Sequence, residues 1–419
     1  MLPNHHRRAD CRLCRSIALE CVLNLAPTPP ANALVPTEDK GKAQVAYPLD
    51  VYRCADCGHL QLLDIVDPGV LFKHYVYVSS TSPVMVNYLK GQCDAIVRKL
   101  RLKPGDFVVE IGSNDGTLLR FFKAMGMRVL GVDPAANIVP DTSEIETITD
   151  FFCAETGQRI REKYGAANAV CAYNVCAHID DLRGVIEGVR ALLAPDGQFV
   201  FEVGYLLDVY RKTLFDTIYH EHVDFHHVEP LKRFFAENGL KLLHAERSDI
   251  QGGALVGYVG SAETQEDRSV DELIVLEHQA GLHLAETYHR WGRAIEQRGE
   301  ELMALLRGLK ASGKSIAAYG ATAKATTLMY HFGLDGSVLD YIVDDNPLKQ
   351  GLFTPGLHIP VRSPDELYRR KPDYVLVLAW NFAAPIIAKH RHYAGELSRF
   401  ILPLPNLSLI GEDASCVLA

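Results

Sequence analysis

Up to about residue 70 the apolar positions keep no sustained period, and turn residues gather in Ala26-Pro-Thr-Pro-Pro-Ala-Asn32, so a small loop-rich module is expected. From Pro83 to Leu102 the spacing changes. Val84, Val86, Tyr88, Leu89, Cys93, Ile96, Val97 and Leu100 recur at helical intervals and predict an amphipathic helix. Phe107-Val-Val-Glu-Ile-Gly112 then reads as a buried parallel strand, followed by a tight turn and a helical stretch from Leu118. Strand and helix signals go on alternating through Arg128-Val-Leu-Gly-Val-Asp133, Ala169-Val-Cys-Ala-Tyr-Asn174, a helix over 182–193, and Gln198-Phe-Val-Phe-Glu-Val203. That alternation predicts an α/β fold with a doubly wound sheet. A charged periodic stretch over 266–313 predicts one or two long helices acting as a connector. A second strand–glycine turn–helix order opens at Ser315-Ile-Ala-Ala-Tyr-Gly320 and continues through Leu339-Asp-Tyr-Ile-Val-Asp-Asp345 and Tyr374-Val-Leu-Val-Leu-Ala-Trp380. The expected units are a small module over 1–75, a central domain over 76–260, and a connector with a second α/β domain over 261–419.

A chain of 419 residues is too long for one ordinary core, in keeping with that division. The formal net charge of -9, with acids and bases interspersed, offers no basic stripe for a phosphate backbone, so nucleic acid is not an expected partner. No apolar leader or membrane-length apolar run is present, which places the chain in the cytoplasm, away from membranes. In a reducing compartment the spacing of Cys11-Arg-Leu-Cys14 and Cys54-Ala-Asp-Cys57 points to metal. Two such knuckles bring four thiolates to the corners of a tetrahedron, a closed structural zinc site.

Chemistry concentrates in two places. The first is Glu110-Ile-Gly112-Ser-Asn114-Asp-Gly116, between a strand and a helix, with Asp133 at the next strand end to accept ribose hydroxyls. This order is shared by dinucleotide and S-adenosylmethionine sites. The turn lacks the three-glycine cradle of a pyrophosphate site, which favours the methyl donor; Asn174 is expected to face its sulfonium, and Asp150-Phe151 its adenine. The second place is Phe215-Asp-Thr-Ile-Tyr219-His220-Glu221-His222. His220 and His222, with His226 and His227 nearby, leave a metal reading open, although their spacing is not that of a helical zinc motif. The alternative is proton abstraction. A carbon attacks a sulfonium methyl only as a nucleophile, and removing a proton next to a ketone makes it one. His222 is the candidate base and Glu221 orients the site, while Tyr219, His178 and a tyrosine from Tyr75-Val-Tyr77 are donors for the enolate oxygen.

Together these motifs resemble the sugar C-methyltransferase family, which branches TDP-linked deoxysugars. The similarity spans nearly the whole chain, from the two cysteine pairs through Tyr75-x-Tyr77-x-Ser79-Ser80, the Glu110–Gly116 turn and Tyr219–His222 to Tyr319-Gly-Ala-Thr-Ala-Lys324, Lys349-Gln-Gly351 and Thr354-Pro-Gly356. The resemblance implies an N-terminal zinc-binding module, a central S-adenosylmethionine-dependent methyltransferase domain and a C-terminal Rossmann-like domain that helps hold a nucleotide sugar. It implies methylation at C3 of a 4-keto-6-deoxy sugar with inversion, TDP-linked by preference and GDP-linked as an option. In it His222 is the base, Tyr219, Glu221 and His178 assist, and Tyr77 contacts the reacting region; spacing does not choose between Tyr77 and Tyr75. Lys324 is expected at the substrate diphosphate, with Asp344 and Asn346 toward its ribose or base. Gln251-Gly-Gly253 and Glu202-Val-Gly204 depart from the family pattern near the substrate side. Two rival readings are an NAD-dependent sugar-nucleotide oxidoreductase or epimerase, and a non-catalytic zinc-ribbon interaction protein.

Overall fold

The computed structural model describes residues 2–72, 78–138, 144–390 and 399–411 of the chain. Tyr75 and Tyr77 lie outside the described residues. The predicted alternation becomes a sheet of seven strands: β1 Phe107–Ile111, β2 Arg128–Val132, β3 Thr147–Ile148, β4 Ala167–Tyr173, β5 Leu193–Gly204, β6 Leu240–Ser248 and β7 Ala254–Ser261. Their order is β6-β7-β5-β4-β1-β2-β3. β3, β2, β1, β4 and β5 are parallel, and β7 is antiparallel to both β5 and β6. The connection reverses direction between β1 and β4, which opens a crevice at the carboxyl ends of those strands, where doubly wound sheets take ligands.

The helix predicted after Pro83 runs over Pro83–Leu100, with the Ser82 side chain accepting the Met85 amide as its N-cap. It buries Met85, Leu89, Cys93 and Ile96 on one face, each large apolar side chain contributing about 1.5–3 kcal/mol. The connector resolves into two helices, Arg268–Gln279 and Ala285–Ala311. A six-stranded sheet follows, built from β8 Ile316–Tyr319, β9 Tyr341–Val343, β10 Val361–Arg362, β11 Tyr374–Val377, β12 Arg399–Leu402 and β13 Ser408–Ile410, in the order β10-β9-β8-β11-β12-β13.

The N-terminal module is not closed on itself. Its strands Leu19–Leu23, Val51–Cys54 and Leu60–Leu62 form a sheet whose fourth member is Asp224–Phe225, donated from just beyond the histidine-rich segment. Without that strand, Leu60–Leu62 would present an open edge. The loop between the two cysteine pairs crosses to the C-terminal domain, where Val35 and Phe353 exchange backbone hydrogen bonds of 2.9 and 2.8 Å. One apolar core is accordingly continuous from Leu13 through Phe201 and Leu328 to Ile401. Among the described residues no helix is long and apolar enough to cross a membrane.

Candidate active site

A sharp turn after β1 builds the crevice. Gly112 sits at φ +66°, and its amide donates to the Val132 carbonyl at 2.8 Å. A Cβ there would stand 2.3 Å from Val175 Cγ2, so the turn lies directly against the end of β4 and requires glycine. Asn114 and Gly116 follow, with Gly116 as N-cap of the helix Thr117–Ala124. The Asp133 carboxylate clasps this turn: one oxygen accepts the Asn114 amide and the other the Ala135 amide, each at 2.8 Å. Burial raises the pKa of Asp133 and the two amides oppose the rise. Each oxygen keeps a second lone pair, the capacity that two vicinal hydroxyls need. Ser79 and Ser80 close on the same turn, their amides donating to Asn114 Oδ1 (2.9 Å) and Asp115 Oδ2 (3.1 Å). Glu110 Oε2 and Ser113 Oγ are buried here without a hydrogen-bond partner among the described residues. A ligand bringing its own ammonium and hydroxyl groups fits such a cradle.

Asn174 stands just past β4, and its Nδ2 donates to Glu202 Oε1 at 2.8 Å. The Tyr88 hydroxyl donates to the other oxygen of Glu202. Burial pushes the Glu202 carboxyl up to about 7, against the pull of those two donors. Phe151, at 40% exposure, leaves an aromatic face open beyond β3, and Asp150 beside it pairs with Arg159 at 2.9 Å.

The second cluster forms around one turn of 3-10 helix, Phe215–Thr217. His222 Nδ1 lies 2.6 Å from the Thr217 carbonyl. A carbonyl has no hydrogen to give, so Nδ1 carries the proton and donates, leaving the lone pair on Nε2. That nitrogen accepts from the Tyr219 hydroxyl at 3.1 Å, with the two ring centres 4.1 Å apart. The His178 ring lies 4.9 Å from His222, and Phe72 stacks on His178 at 5.4 Å. Burial holds the His222 imidazole down at about 4; the Thr217 hydrogen bond opposes this and the Lys324 ammonium adds to it. His178 is also held well below its ordinary value, by burial and then by His222. Both rings are therefore neutral near pH 7.

His178, Tyr219 and His222 are thus brought together, while their sequence neighbours face elsewhere. His220 is buried and its Nε2 donates to the Pro48 carbonyl at 3.1 Å. Glu221 is buried too, and its Oε1 accepts from Asn32 Nδ2 of the N-terminal module at 2.7 Å. His226 packs on His59, ring centres 5.5 Å apart. Histidines 220, 222 and 226 do not gather at one point. Among the described residues, the one group of three or more ligating side chains close enough for a metal ion is Cys11, Cys14, Cys54 and Cys57, whose sulfurs all lie within 4.8 Å of one another. The Cys11–Cys57 and Cys14–Cys54 sulfurs are 3.6 and 3.5 Å apart. A tetrahedron with Zn–S bonds of about 2.3 Å has edges near ~3.8 Å, so the four thiols fit zinc and leave no open position.

The C-terminal domain reaches this site through the helix Ala323–Phe332. Burial lowers the pKa of Lys324, near its start, and the Asp216 carboxylate opposes that. Asp216 is buried within the 215–217 turn; burial pushes it up to about 6, against Lys324 and the Trp380 indole. Asp344 lies deeper in its own domain, its two oxygens accepting the Ala321 amide (2.8 Å) and the Asn346 amide (2.9 Å). No role follows from the sequence for Tyr88, Asn32, Asp216 or Trp380, and Glu202 stands out there only within the Glu202-Val-Gly204 departure. Glu202 carried a signal, as an acid inside the apolar run Phe199–Val203; the others reach the site only through tertiary contacts.

Three family models match in turn: a zinc binding domain over residues 11–72, a methyltransferase domain over 85–245, and a C-methyltransferase C-terminal domain over 249–405. The chain is 35% identical over 410 residues to C-methyltransferase NovU of Streptomyces niveus, spanning 97% of this chain and 98% of that protein. The chain belongs to the C-methyltransferase family. This C-methyltransferase depends on S-adenosylmethionine, and the cysteine set is its zinc site. Solved methyltransferases overlap less of it. ChlM of Synechocystis PCC 6803 with bound SAM shares 14% identity over 45% of this C-methyltransferase and 86% of that chain, with a TM-score of 0.32. The DhpI-SAH complex shares 17% over 45% and 92%, with a TM-score of 0.31.

Proposed function

We propose that this C-methyltransferase methylates C3 of a nucleotide-linked 4-keto-6-deoxy sugar, TDP-linked by preference and GDP-linked as an alternative, through an enolate formed by His222. S-adenosylmethionine supplies an electrophilic methyl group, and Gly112, Asn114, Gly116, Asp133, Asp150, Phe151 and Asn174 would hold it. The observation that carries the reading is the hydrogen bond from His222 Nδ1 to the Thr217 carbonyl, which leaves Nε2 as a bare acceptor.

When the keto sugar docks, Tyr219 releases Nε2 and turns its hydroxyl to the ketone oxygen. The C3–H bond breaks, its proton passes to Nε2, its electron pair forms the C3–C4 double bond, and the carbonyl π pair moves onto the ketone oxygen as an enolate. An imidazole held near 4 is a weak base, so the enolate oxygen must be stabilised as it forms. Tyr219 and the neighbouring His178 are the groups for that, with Tyr77 or Tyr75 from the preceding segment. Glu221, tied to Asn32, fixes the backbone between Tyr219 and His222. Lys324 at its helix N-terminus is the group for the substrate diphosphate, while Asp344 and Asn346 shape the loop on the ribose or base side. Units bounded at residues 75 and 260 would give the N-terminal, central and C-terminal parts of this site.

Incubation with labelled S-adenosylmethionine and a panel of TDP- and GDP-linked keto sugars tests the reading. Label should enter the sugar, and C3 hydrogen should exchange with deuterated water. His222→Asn should slow both by about 100- to 10,000-fold while binding of S-adenosylhomocysteine is kept. Undiminished transfer by that variant would remove His222 as the base, and no transfer to any keto sugar by the wild type would remove the substrate class.

A further inference from the structure

The Thr217 carbonyl can set the tautomer of His222 only if it is itself held in place, and its two neighbours are held from the C-terminal domain. On one side the buried Asp216 carboxylate accepts the Trp380 indole N–H at 2.7 Å. On the other the Ile218 carbonyl accepts the Thr327 hydroxyl at 2.7 Å. Within the turn the Thr217 amide donates to the Leu214 carbonyl and the Ile218 amide to the Phe215 carbonyl, both at 3.0 Å. The peptide between Thr217 and Ile218 thus has its N–H bound inside the turn and its oxygen bound to His222. We propose that Trp380 and Thr327 are positioning residues of the catalytic base, so that the C-terminal domain fixes which nitrogen of His222 is free as well as helping to hold the substrate. This rests on the reading of His222 as the base.

Two further observations point the same way. Thr326, adjacent to Thr327, donates its hydroxyl to the Ala31 carbonyl at 3.0 Å, and the next residue, Asn32, holds Glu221. One helix of the C-terminal domain therefore grips the segment 216–222 directly and again through the N-terminal module. The second observation is the cost of Asp216. Its Oδ1 is buried without a hydrogen-bond partner among the described residues, a poor choice for a position that only fills space. Its Oδ2, accepting the indole, ties the turn to Trp380 across the domain boundary. Loosening these ties would let the carbonyl rotate and the imidazole place its hydrogen on Nε2, where it can no longer take a proton from carbon.

The test uses the full chain with zinc bound, labelled with 15N-histidine, and compares wild type with Trp380→Phe, Thr327→Val and Asp216→Asn. In the wild type the His222 signals should show a protonated Nδ1 and a bare Nε2. In Trp380→Phe and Thr327→Val this pattern should shift toward mixed tautomers, and kcat should fall about 10- to 100-fold, the scale of a small misplacement at a reacting centre, with KM for S-adenosylmethionine unchanged. Asp216→Asn keeps an oxygen for the indole but replaces a charged hydrogen bond by a neutral one, so its tautomer pattern and kcat should fall between those of wild type and Trp380→Phe. A wild-type tautomer pattern in both Trp380→Phe and Thr327→Val overturns the proposal, whatever happens to the rate. The tautomer readout is independent of turnover, so it still reports on this clamp if His222→Asn proves active and the base itself is misassigned.

Discussion

The central and C-terminal α/β domains use the same turn, and the two copies differ in what surrounds it. Gly112 and Gly320 each donate their amide to the last residue of the second strand, Val132 and Val343, at 2.8 Å. Each lies against the residue two places past its fourth strand: a Cβ would meet Val175 at 2.3 Å in one and Ala379 at 2.6 Å in the other. In each, an acid at the second strand end, Asp133 or Asp344, accepts one amide from the turn and one from two residues on. The copies then part. Among the described residues no cation pairs with Asp133, whereas Lys349 places its Nζ 3.9 Å from Asp344 and donates to the Ala321 carbonyl at 2.9 Å. The polar pair Asn174 and Glu202 has apolar counterparts, Leu378 after the fourth strand and Leu402 one step beyond the Leu376–Ile401 pairing. One turn keeps polar groups at its neighbouring strand ends; the other has a lysine beside its acid and leucines at the corresponding positions. What the second turn delivers is the start of a helix, and that helix carries Lys324, Thr326 and Thr327 toward the segment 216–222.

The contrast can be broken most sharply at the two acids. Asp133→Ala should weaken S-adenosylhomocysteine binding by about 100-fold, the loss of two hydrogen bonds to a charged group, whereas Asp344→Ala should leave that affinity unchanged; calorimetric titration of both decides. Equal losses would mean that the two crevices share the cofactor's work. A smaller effect is expected from Asp344→Asn, which removes one acceptor from the C-terminal turn: the melting temperature should drop by about 2–4 °C with KM for the nucleotide sugar little changed. A large rise in KM instead would show Asp344 meeting the ribose.

The smallest effect concerns Glu202, beside the end of the fourth strand. Folded Glu202 keeps its proton up to about pH 7, against an ordinary value of 4.5. The folded state therefore binds more protons than the unfolded chain between those values, and this group lowers stability as pH rises through that window. Glu202→Gln does not titrate, so its melting temperature relative to wild type should be higher at pH 8 than at pH 5, by a few degrees in a pH-dependent unfolding series. A difference independent of pH would mean that Glu202 is ionised throughout.

Much of this molecule was determined by the sequence alone, because the signals are local. β-Branched runs, glycine turns and strand-end acids announce a doubly wound sheet at any distance from their partners. Two CxxC pairs announce a tetrahedral thiolate site, because the spacing itself builds the knuckle. The candidates Tyr219, His222 and His178 could be named from residue type and position after a strand, since catalysis needs those groups near the carboxyl ends. Tertiary structure decided the rest. Residue order cannot say that His222 gives its Nδ1 hydrogen to Thr217 while His220, two positions earlier, turns to Pro48. Nor can it say that Asp224–Phe225 completes the sheet of the zinc module, or that Asn32, Thr327 and Trp380 meet within one segment of seven residues, 216–222. Those facts depend on which faces a common core presses together, and a hydrogen bond between residues more than a hundred positions apart leaves no period in the chain to read.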